Sequence, residues 1–593
     1  MRRVAVITCT AILLCACTGG IRTMHIHPGD DPAKAIARAM KGGGDATVIL
    51  HGGEYTLNSP VVISGAGKLR ICAAEGEKPV LRGDISLKPE KDADGIFHAD
   101  LSTVGISDFG AVAGKTDRFD LYLNGLRQIP ARWPDEGYSR AGKVYGSTVP
   151  DVYSGIVTPD RNVFCEGLFD IDAPRSEAWA AETSGAIHAF ARYDWFDSTH
   201  SILSMDGTRM QVELADNRYG FGDGFRYFAY NLLCEMDRPG EYHLDTNSGV
   251  LSWYAPEEYD PAADEVSFPV FNGRFMLEIS DSEDVSIEGI SFRGARNGAI
   301  GIMRSSGVSV KDCSIRSIGG DGISISGSRG VNVKRCIIEH CGHAGIAATG
   351  GNRLTLEAAG YMFEDNIIRN YSELRYTYQP GIRFSGVGAI IARNEICNCP
   401  SSALNITGND IYIENNYLHD LVTESDDQGA LDIFGNYYYR GIVVRGNVWE
   451  NVTGRKDSKY GAAAVRLDDM ICGVQVRENV FRNCGGNQFG AVQIHSGKDN
   501  YVEYNRFDGC ATAVSFSPWT EERWRVNTAG GLHNVTYAKD SVATGDPLYL
   551  QRYPPLKQEI VSNVNRNYFV NNIYRNCNRL SLRDNGSNEF IEL

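Results

Sequence analysis

Two clusters of acidic residues in the second half of the chain have the residue types best suited to catalysis. One reads Glu-Ser-Asp-Asp-Gln-Gly-Ala at 424–430, and the other reads Arg-Leu-Asp-Asp at 466–469. Hydrolysis of a glycosidic bond uses two carboxyl groups, one that protonates the leaving oxygen and one that attacks the sugar or activates water. Aspartate is also common in turns, where its side chain binds backbone N–H groups. The clusters therefore indicate either a catalytic carboxyl pair or two structural bends.

Further polar residues recur near these clusters and are candidates for binding a substrate. They are Arg383, Asn405, Asp432, Arg466, Asp469, Gln493 and His495. Such side chains form hydrogen bonds with sugar hydroxyl groups, and their number exceeds what solubility requires. A salt bridge between Asp432 and either Arg383 or Arg466 is the competing structural interpretation.

Seven short hydrophobic segments carry most of these residues. They read DGISIS, AGIAAT, PGIRFS, SALNIT, GALDIF, AAVRLD and GAVQIH. Side chains alternate across a β-strand, so the apolar positions from Ile323 to Val492 are expected to fill a core. The alternate positions should form two outward stacks. One reads Ser324, Ala347, Arg383, Asn405, Asp432, Arg466 and Gln493, and the other Ser326, Thr349, Ser385, Thr407, Phe434, Asp468 and His495.

A second repeat follows these segments and predicts the fold. Nine copies begin with VSIEGISF at Val285 and end with NYVEYNRF at Asn500, at a spacing of 22 to 32 residues, which is typical of a solenoid. The sixth place of eight copies holds Cys313, Cys336, Asn366, Asn394, Asn416, Asn447, Asn479 and Asn505. A column of Asn amides hydrogen-bonded between coils is typical of a parallel β-helix. We therefore predict an all-β chain folded as a right-handed parallel β-helix.

The remaining segments predict additions to this solenoid. Residues 27–45 indicate an amphipathic helix that caps the first coil and protects its open edge. This cap and the first coils of the β-helix are expected to form an N-terminal domain at 18–109. Residues 110–265 interrupt the repeat with sequences typical of β-hairpins and predict an inserted β-rich domain. The β-helix then occupies 266–593, with an irregular excursion at about 517–560 and a last coil at NYFVNNIY.

The N-terminus predicts export. Met-Arg-Arg precedes a short apolar run, Val4 to Ala16, which has the length of a signal peptide and is too short to span a membrane. The run ends in Leu-Cys-Ala-Cys, which resembles the lipobox of bacterial lipoproteins, with Cys17 as the lipidated residue after a signal peptide at 1–17. An ordinary signal peptide is the alternative. A lipid anchor would be the only attachment to a membrane, facing either the periplasm or the medium.

Composition narrows the possible partners. The formal net charge of −16 argues against a nucleic-acid partner, which would need clustered basic residues. The 15 cysteines show no CxxC pairs or zinc-type spacing, so neither a metal site nor another cofactor is predicted. Cys313, Cys336, Cys484 and Cys510 are expected at one repeated place as buried free thiols.

The ordered motifs resemble a known family. AAGYMFEDNII, PGIRFSGVGAIIARNEI, ESDDQGALDIFG, VRLDDMICGVQVRENVF and HSGKDNYVEYNRF, together with LYLNGLRQIPARWPDEGY and GEYHLDTNSGVLSWYAP, resemble the β-helix proteins of glycoside hydrolase family one hundred and forty-one over nearly the whole mature chain. The resemblance implies a retaining glycosidase acting on polysaccharides or oligosaccharides of plant cell walls, with α-L-fucosidase and xylanase as associated activities. It also implies Asp427 and Asp468 as the catalytic pair, without assigning their roles. Asp432 and Arg466 stand where related sequences tend to carry Tyr, which leaves the substrate open.

Two other functions remain compatible with the sequence. Polysaccharide lyases share this fold and need a basic residue, for which Arg383, Arg466 or Lys498 is available, beside groups that neutralise a uronate. A surface adhesin or glycan-binding β-helix would use no catalytic residue at all. Release of an unsaturated product identifies a lyase, and loss of hydrolysis on substitution of either Asp excludes an adhesin.

Overall fold

The computed structural model describes residues 22–41, 45–147, 165–171, 175–182, 184–214, 219–528, 532–534, 539–557, 566–583 and 589–592. The signal-peptide prediction and Cys17 lie outside these residues. No helix in the described ranges is long and apolar enough to cross a membrane.

The chain winds into a right-handed parallel β-helix, as predicted, and its coils form three long parallel sheets. Sheet 1 contains Val61–Ser64, Phe275–Ser280, Gly298–Met303, Ile323–Ser328, Ile346–Gly350, the first halves of Ile382–Ala392 and Leu404–Glu414, Gln428–Phe434, Ala462–Asp468, Val492–His495, Thr512–Ser517 and Asn578–Leu582. Sheet 2 contains Arg22–Ile26, Ala46–Leu50, Leu69–Ala73, Val285–Glu288, Ser309–Lys311, Asn332–Lys334, Tyr361–Glu364, the second halves of the two long strands, Val443–Arg445, Gln475–Arg477, Tyr501–Glu503, Arg566–Val570 and Glu589–Glu592. Sheet 3 contains Gly53–Thr56, Pro79–Arg82, Ser291–Ala295, Ser314–Ile318, Ile337–Cys341, Ile367–Arg369, Glu395–Cys399, Tyr417–Leu421, Val448–Val452, Val480–Cys484, Arg506–Asp508 and Ile573–Arg575.

The period-two pattern produces both the core and the outer face of sheet 1. Ile323, Ile346 and Ile382 are paired in successive coils and fully buried. The predicted first outward stack is also in register, because Arg383 pairs with Asn405, Asn405 with Asp432, Asp432 with Arg466, and Arg466 with Gln493. Sheet 1 therefore presents one polar outer wall.

A ladder of buried Asn side chains stabilises the turn between sheets 2 and 3. The Oδ1 atom of Asn394 accepts hydrogen bonds from the backbone N–H and the Nδ2 of Asn366, at 3.0 and 2.9 Å. The Nδ2 of Asn394 donates to the Phe363 carbonyl at 2.9 Å. The same contacts repeat through Asn416, Asn447 and further coils. These amides satisfy backbone groups that burial would otherwise leave without partners.

The cysteines occupy two places in the coil rather than the single predicted one. Cys313 and Cys336 continue the Asn ladder, whereas Cys484 ends a sheet 3 strand and Cys510 follows the next sheet 3 strand by two residues. Both pairs are buried free thiols. The two positions look alike in sequence because each follows a short apolar strand.

The N-terminal helix Pro32–Lys41 packs its buried Ile36 and Ala39 over the first coil, in agreement with the predicted cap. Asp31 precedes it and accepts a hydrogen bond from the Lys34 N–H at 3.0 Å, as an N-cap residue does. The helix covers the apolar end of the solenoid.

Inserted antiparallel elements leave the solenoid between sheet 3 and sheet 1. They begin at Asp84–Leu87, which pairs with Val266–Pro269, so the insertion is wider than the predicted 110–265. Its remaining strands are Glu90–Lys91, Phe97–Asp100, Tyr122–Leu123, Leu126–Arg127, Ile129–Pro130, Arg132–Trp133, Ser139–Ser147, Cys165–Ile171, Ala186–Phe190, Ser198–Asp206, Arg209–Val212, Arg226–Tyr230, Glu241–Leu244 and Val250–Trp253. Six of them close into a barrel, because Ala186–Phe190 pairs with both Ser198–Asp206 and Arg226–Tyr230. Ser176–Trp179 is a short helix in this insertion.

A second excursion leaves the turn between sheets 1 and 2 after Thr512–Ser517. It contains the helices Glu521–Thr528 and Pro547–Arg552 and the hairpin Leu532–Asn534 and Lys539–Ala543. Buried Trp524 and Tyr549 pack with Tyr438 and Met470 of neighbouring turns. The outer wall of sheet 1 thus lies between the insertion on one side and this excursion on the other.

Candidate functional site

A cavity of about 220 Å³ lies on the outer wall of sheet 1. Its lining includes six of the nine site residues predicted from the sequence, which are Asp427, Arg466, Asp468, Asp469, Gln493 and His495. The other lining residues are Trp195, Tyr378, Tyr460, Phe489, Ser517, Arg523 and Arg583. Both acidic clusters therefore face one cavity.

Arg466 joins the two predicted catalytic residues. Its Nη2 donates to Asp427 Oδ1 at 2.7 Å, and its Nη1 lies 3.1 Å from Asp468 Oδ2. The same Nη1 lies 3.7 Å from Asp432 Oδ1, behind the cavity wall. One buried guanidinium thus serves three carboxyl groups, which keeps the carboxyls of Asp427 and Asp468 on the same side of the solenoid.

The two adjacent residues Asp426 and Asp427 have different roles, one structural and one in the cavity. Asp426 is 2% exposed and accepts backbone N–H groups from Asp427, Lys459, Tyr460 and Gly461 at 2.6 to 3.1 Å. Asp427 adopts a left-handed backbone (φ 55°), which Asp tolerates better than most residues. Asp426 therefore fixes the loop, and the turn directs Asp427 into the cavity.

Burial controls the acidity of this cluster. It raises the pKa of Asp427 to about 6, against the opposing effect of the Arg466 cation. Burial likewise raises the pKa of Asp432 to about 7 and that of Asp469 to about 7. A low-dielectric environment disfavours the charged carboxylate, and the cations of Arg466 and Arg523 offset this effect only in part. Near neutral pH the cluster therefore retains protons that a surface Asp would have lost.

His495 is held as a neutral imidazole at the rim. Its Nε2 accepts a hydrogen bond from Trp519 Nε1 at 3.0 Å, so the proton lies on Nδ1, which donates to Ser517 Oγ at 2.7 Å. Burial lowers the pKa of His495 to about 4. The imidazole can therefore orient a ligand by contact but carries no charge near neutral pH.

Asp468, Asp469 and His495 also have the donor types of a cation site. One donor atom from each lies within 4.8 Å of the others. Arg466 and Arg523, however, already bind the two carboxylates, at 3.1 and 3.2 Å, and Trp519 occupies the imidazole lone pair. This arrangement fits carboxylates neutralised by arginine better than it fits a resident metal ion.

The insertion supplies an aromatic wall that sequence reasoning missed. Trp195 lines the cavity and stacks on Tyr193, with ring centroids 4.8 Å apart. Its segment is anchored because the Asp426 N–H donates to the Asp194 carbonyl at 2.9 Å. Arg226 of the barrel forms an ion pair with Asp194 and donates to the Glu424 carbonyl at 2.6 Å. No sequence signal links 195 to 427, since the two segments are distant in the chain.

Three predicted binding residues do not reach the cavity. Arg383 turns away and donates to the Tyr378 carbonyl and to Gln379 Oε1. Asn405 is 8% exposed and lies one coil beyond the cavity, and Asp432 is 2% exposed behind Arg466. Their strand positions were predicted correctly, but none of the three lines the cavity, so direct substrate contact is not supported for them.

A second cavity adjoins the first and extends it into a groove. It has about 380 Å³ and shares Trp195, Asp427 and Tyr460 with the first cavity. Its far end is lined by Arg192 and Lys459. Asp427 therefore stands at the boundary between two adjoining compartments.

Replacing Asp432 with Asn is expected to flatten the dependence of stability on pH. A carboxyl whose pKa is higher in the folded than in the unfolded state stabilises the fold below about pH 4, and that contribution is lost as pH rises through about 7. Each unit of pKa difference corresponds to about 1.4 kcal/mol. The free energy of unfolding, measured with urea, should thus decline in the wild type from pH 4 to pH 8. In Asp432→Asn this decline should be a few kcal/mol smaller. The half-exposed Asp420→Asn serves as control, and equal slopes for all three proteins would contradict the assigned shift.

Comparisons with known proteins support the architecture. A family model described as the right-handed β-helix region matches residues 265–372. No curated protein matches the chain in sequence. A solved structure named a glycoside hydrolase has a TM-score of 0.59 and 13% identity, over 84% of this chain and 94% of that one.

Two further structures are more distant. XylC, solved with xylose, has a TM-score of 0.43 and 12% identity, covering 93% of this chain and 86% of its own. PfbA, a surface adhesin of Streptococcus pneumoniae, has a TM-score of 0.36 and 10% identity, covering 93% and 88%. At these identities the comparisons define the fold class, a right-handed parallel β-helix, and the activity has to be argued from the site.

Proposed function

We propose that the chain is a glycoside hydrolase that cleaves a glycan bound along the groove, with Asp427 and Asp468 as the catalytic carboxyl pair. The observation that carries this proposal is the Arg466 guanidinium bound to both carboxyl groups inside one cavity. The structural neighbour named a glycoside hydrolase is consistent with it.

Asp427 has the properties of the general acid. A general acid must hold a proton near neutral pH and reach the glycosidic oxygen. Burial raises the pKa of Asp427 to about 6, and its carboxyl lies on the wall shared by the two compartments. A sugar in each compartment would place the bond between them at Asp427.

Asp468 then acts on the anomeric carbon. In a retaining mechanism its carboxylate forms a bond to that carbon while Asp427 gives its proton to the leaving oxygen. Water then breaks the glycosyl–enzyme bond, and Asp427 recovers the proton. Arg466 holds the Asp468 carboxylate in place through an ion pair at 3.1 Å.

The resemblance of the motifs suggests α-L-fucosidase or xylanase activity on plant cell-wall glycans. A panel of fucosylated, xylan and pectic oligosaccharides tests this, with reducing ends as the readout and proton NMR for the anomer released first. Hydrolysis of one class with net retention is expected. Absence of hydrolysis of every glycan in the panel would overturn the proposal.

Trp195 is expected to bind the sugar rather than to catalyse. Its ring stands on the wall of both compartments, where an aromatic face can pack against the apolar face of a sugar. Trp195→Ala should raise KM about tenfold or more while kcat changes much less, because only binding of the glycan is lost. Tyr412→Ala, a similarly large exposed ring on sheet 2, should leave both constants unchanged. A fall in kcat alone would assign Trp195 to another role.

The lyase alternative lacks a suitable base among the residues named for it. Arg466 is buried with three carboxyl groups, which hold its pKa well above the usual value and keep it protonated. Arg383 does not line the cavity, and Lys498 lies over the ring of Trp524. Ultraviolet absorbance of an unsaturated product from uronate polymers would nevertheless reinstate the lyase.

Export with a lipid anchor at Cys17 remains part of the proposal. Metabolic labelling with a palmitate analogue should mark the full-length protein and fail to mark Cys17→Ser. Labelling of both forms would place the lipid elsewhere.

A further inference from the structure

A separate cavity of about 270 Å³ lies where the insertion meets the β-helix. It shares no lining residue with the candidate groove. Arginines of the insertion line one side, and Glu373 and Tyr376, from a turn between sheets 3 and 1, line the other. Nothing in the proposed hydrolysis uses this cavity.

Two arginines of this cavity stack on neighbouring rings of one barrel strand. The Arg132 guanidinium carbon is 3.7 Å from the Phe228 ring centroid, and that of Arg118 is 5.2 Å from the Tyr230 centroid. Residues two apart in a strand point to the same side, so both cations face the helix together. Stacking orients the plane of each guanidinium and does not itself use the N–H groups on its edge.

Within the described part of the chain, neither cation forms an ion pair with a carboxylate. Arg132 donates to the carbonyls of Pro134 and Gly137, at 2.9 and 2.8 Å. Arg118 donates to the Leu374 carbonyl at 3.3 Å, and its buried Nε has no hydrogen-bond partner in the described ranges. Arg118 is only 7% exposed, so this unused donor is costly to keep without a ligand.

The acidic residues of the cavity are already engaged. Asp120 and Glu373 both form ion pairs with Arg127, and Glu373 also binds His340 at 2.8 Å. His188 at the back is paired with Asp197 at 3.1 Å. The lining therefore has three arginines against two carboxylates, and the positive excess lies at Arg118 and Arg132.

We propose that this cavity binds the carboxylate of a small ligand between Arg118 and Arg132. A carboxylate has the planar geometry that guanidinium edges bind with paired hydrogen bonds, and it would satisfy the unused Nε of Arg118. Burial lowers the pKa of Arg132, and an anion would offset that cost. A uronic acid residue and a simple organic acid share this chemistry.

Calorimetric titration of the full chain tests the proposal with sodium galacturonate, galactose and sodium acetate. Galacturonate should bind and galactose should not. Competition between acetate and galacturonate would indicate a site for carboxylates in general. Absence of competition by acetate would indicate a site specific for a uronate. Equal binding of galactose and galacturonate would overturn the proposal.

Substitutions locate the binding. Arg132→Gln and Arg118→Gln should each weaken galacturonate at least tenfold, and Arg132→Lys should restore part of the affinity. Arg140→Gln, an exposed barrel arginine bound to the Gly224 carbonyl, is the matched control. Cooperative thermal unfolding confirms that each variant folds. Arg583→Gln alters the groove instead. If Arg583→Gln lost galacturonate binding and Arg132→Gln kept it, the anion would bind in the groove and this site would be refuted. Hydrolysis by Arg118→Gln should be unchanged, so this inference fails or stands independently of the hydrolase proposal.

Discussion

Asp427→Asn and Asp468→Asn are each expected to lose about 10²–10⁴-fold in kcat/KM on a natural glycan, the range for removal of a positioned acid, base or nucleophile. The two variants should differ in how the loss depends on the leaving group. An activated aryl leaving group needs no proton, so Asp427→Asn should recover most of its first-step rate on such a substrate. Asp468→Asn should remain inactive on both substrates, because it lacks the group that attacks the anomeric carbon. Initial rates on both substrate types provide the measurement.

Two controls separate chemistry from folding. Asp420→Asn changes a half-exposed carboxyl on sheet 3 of the same coil and should retain full activity. Exogenous azide should restore turnover of an aryl glycoside by either variant, giving a glycosyl azide of retained configuration with Asp427→Asn and of inverted configuration with Asp468→Asn. Full activity in both catalytic variants, with unchanged unfolding, would leave the hydrolase proposal without a mechanism.

The acid role also sets a pH limit. Because burial raises the pKa of Asp427 to about 6, the fraction of enzyme with a protonated acid falls as pH rises above that value. Activity should therefore fall as pH rises above about 6 because Asp427 loses its proton, even if the affinity for the glycan does not change.

Much of the site's position follows from strand periodicity. Alternation along GALDIF and AAVRLD assigns Asp432 and Arg466 to the outer face, and the repeat places them side by side, as the observed register shows. The Asn ladder fixes that register, because a slip of one residue would remove every Asn from its hydrogen bonds. Local pattern and repeat spacing were therefore sufficient for the fold and for the cavity's wall.

Which residues of the cavity wall are structural and which face the cavity depends on contacts that no local sequence pattern encodes. Asp426 and Asp427 are identical and adjacent in sequence, and only the loop at 459–461, one coil away, makes the first structural. Arg523 enters from the excursion, and Trp195 comes from the insertion. These side chains reach the cavity through tertiary packing across long stretches of chain, which single-sequence reasoning cannot supply.

Arg466 accounts for the coexistence of so many carboxyl groups, and its replacement by Met is expected to act through charge rather than through volume. Met removes the only cation bound to Asp427, Asp432 and Asp468 among the described residues, so the raised pKa values of Asp427 and Asp432 should rise further. Removing one partner of a buried ion pair costs about 3–5 kcal/mol. That cost should appear at pH 7 and shrink towards pH 4, where Asp427 and Asp432 are protonated and need no counter-ion.

Urea unfolding of Arg466→Met at both pH values measures this difference, and Arg466→Lys tests whether charge without the guanidinium fork is sufficient. Lys is expected to recover stability at pH 7 but not activity, because an ammonium group cannot hold Asp427 and Asp468 in the same paired geometry. An equal loss of stability at pH 4 and pH 7 would mean that Arg466 serves packing alone. The pH dependence thus distinguishes a residue that sets the protonation of Asp427 and Asp432 from one that only fills space beside them.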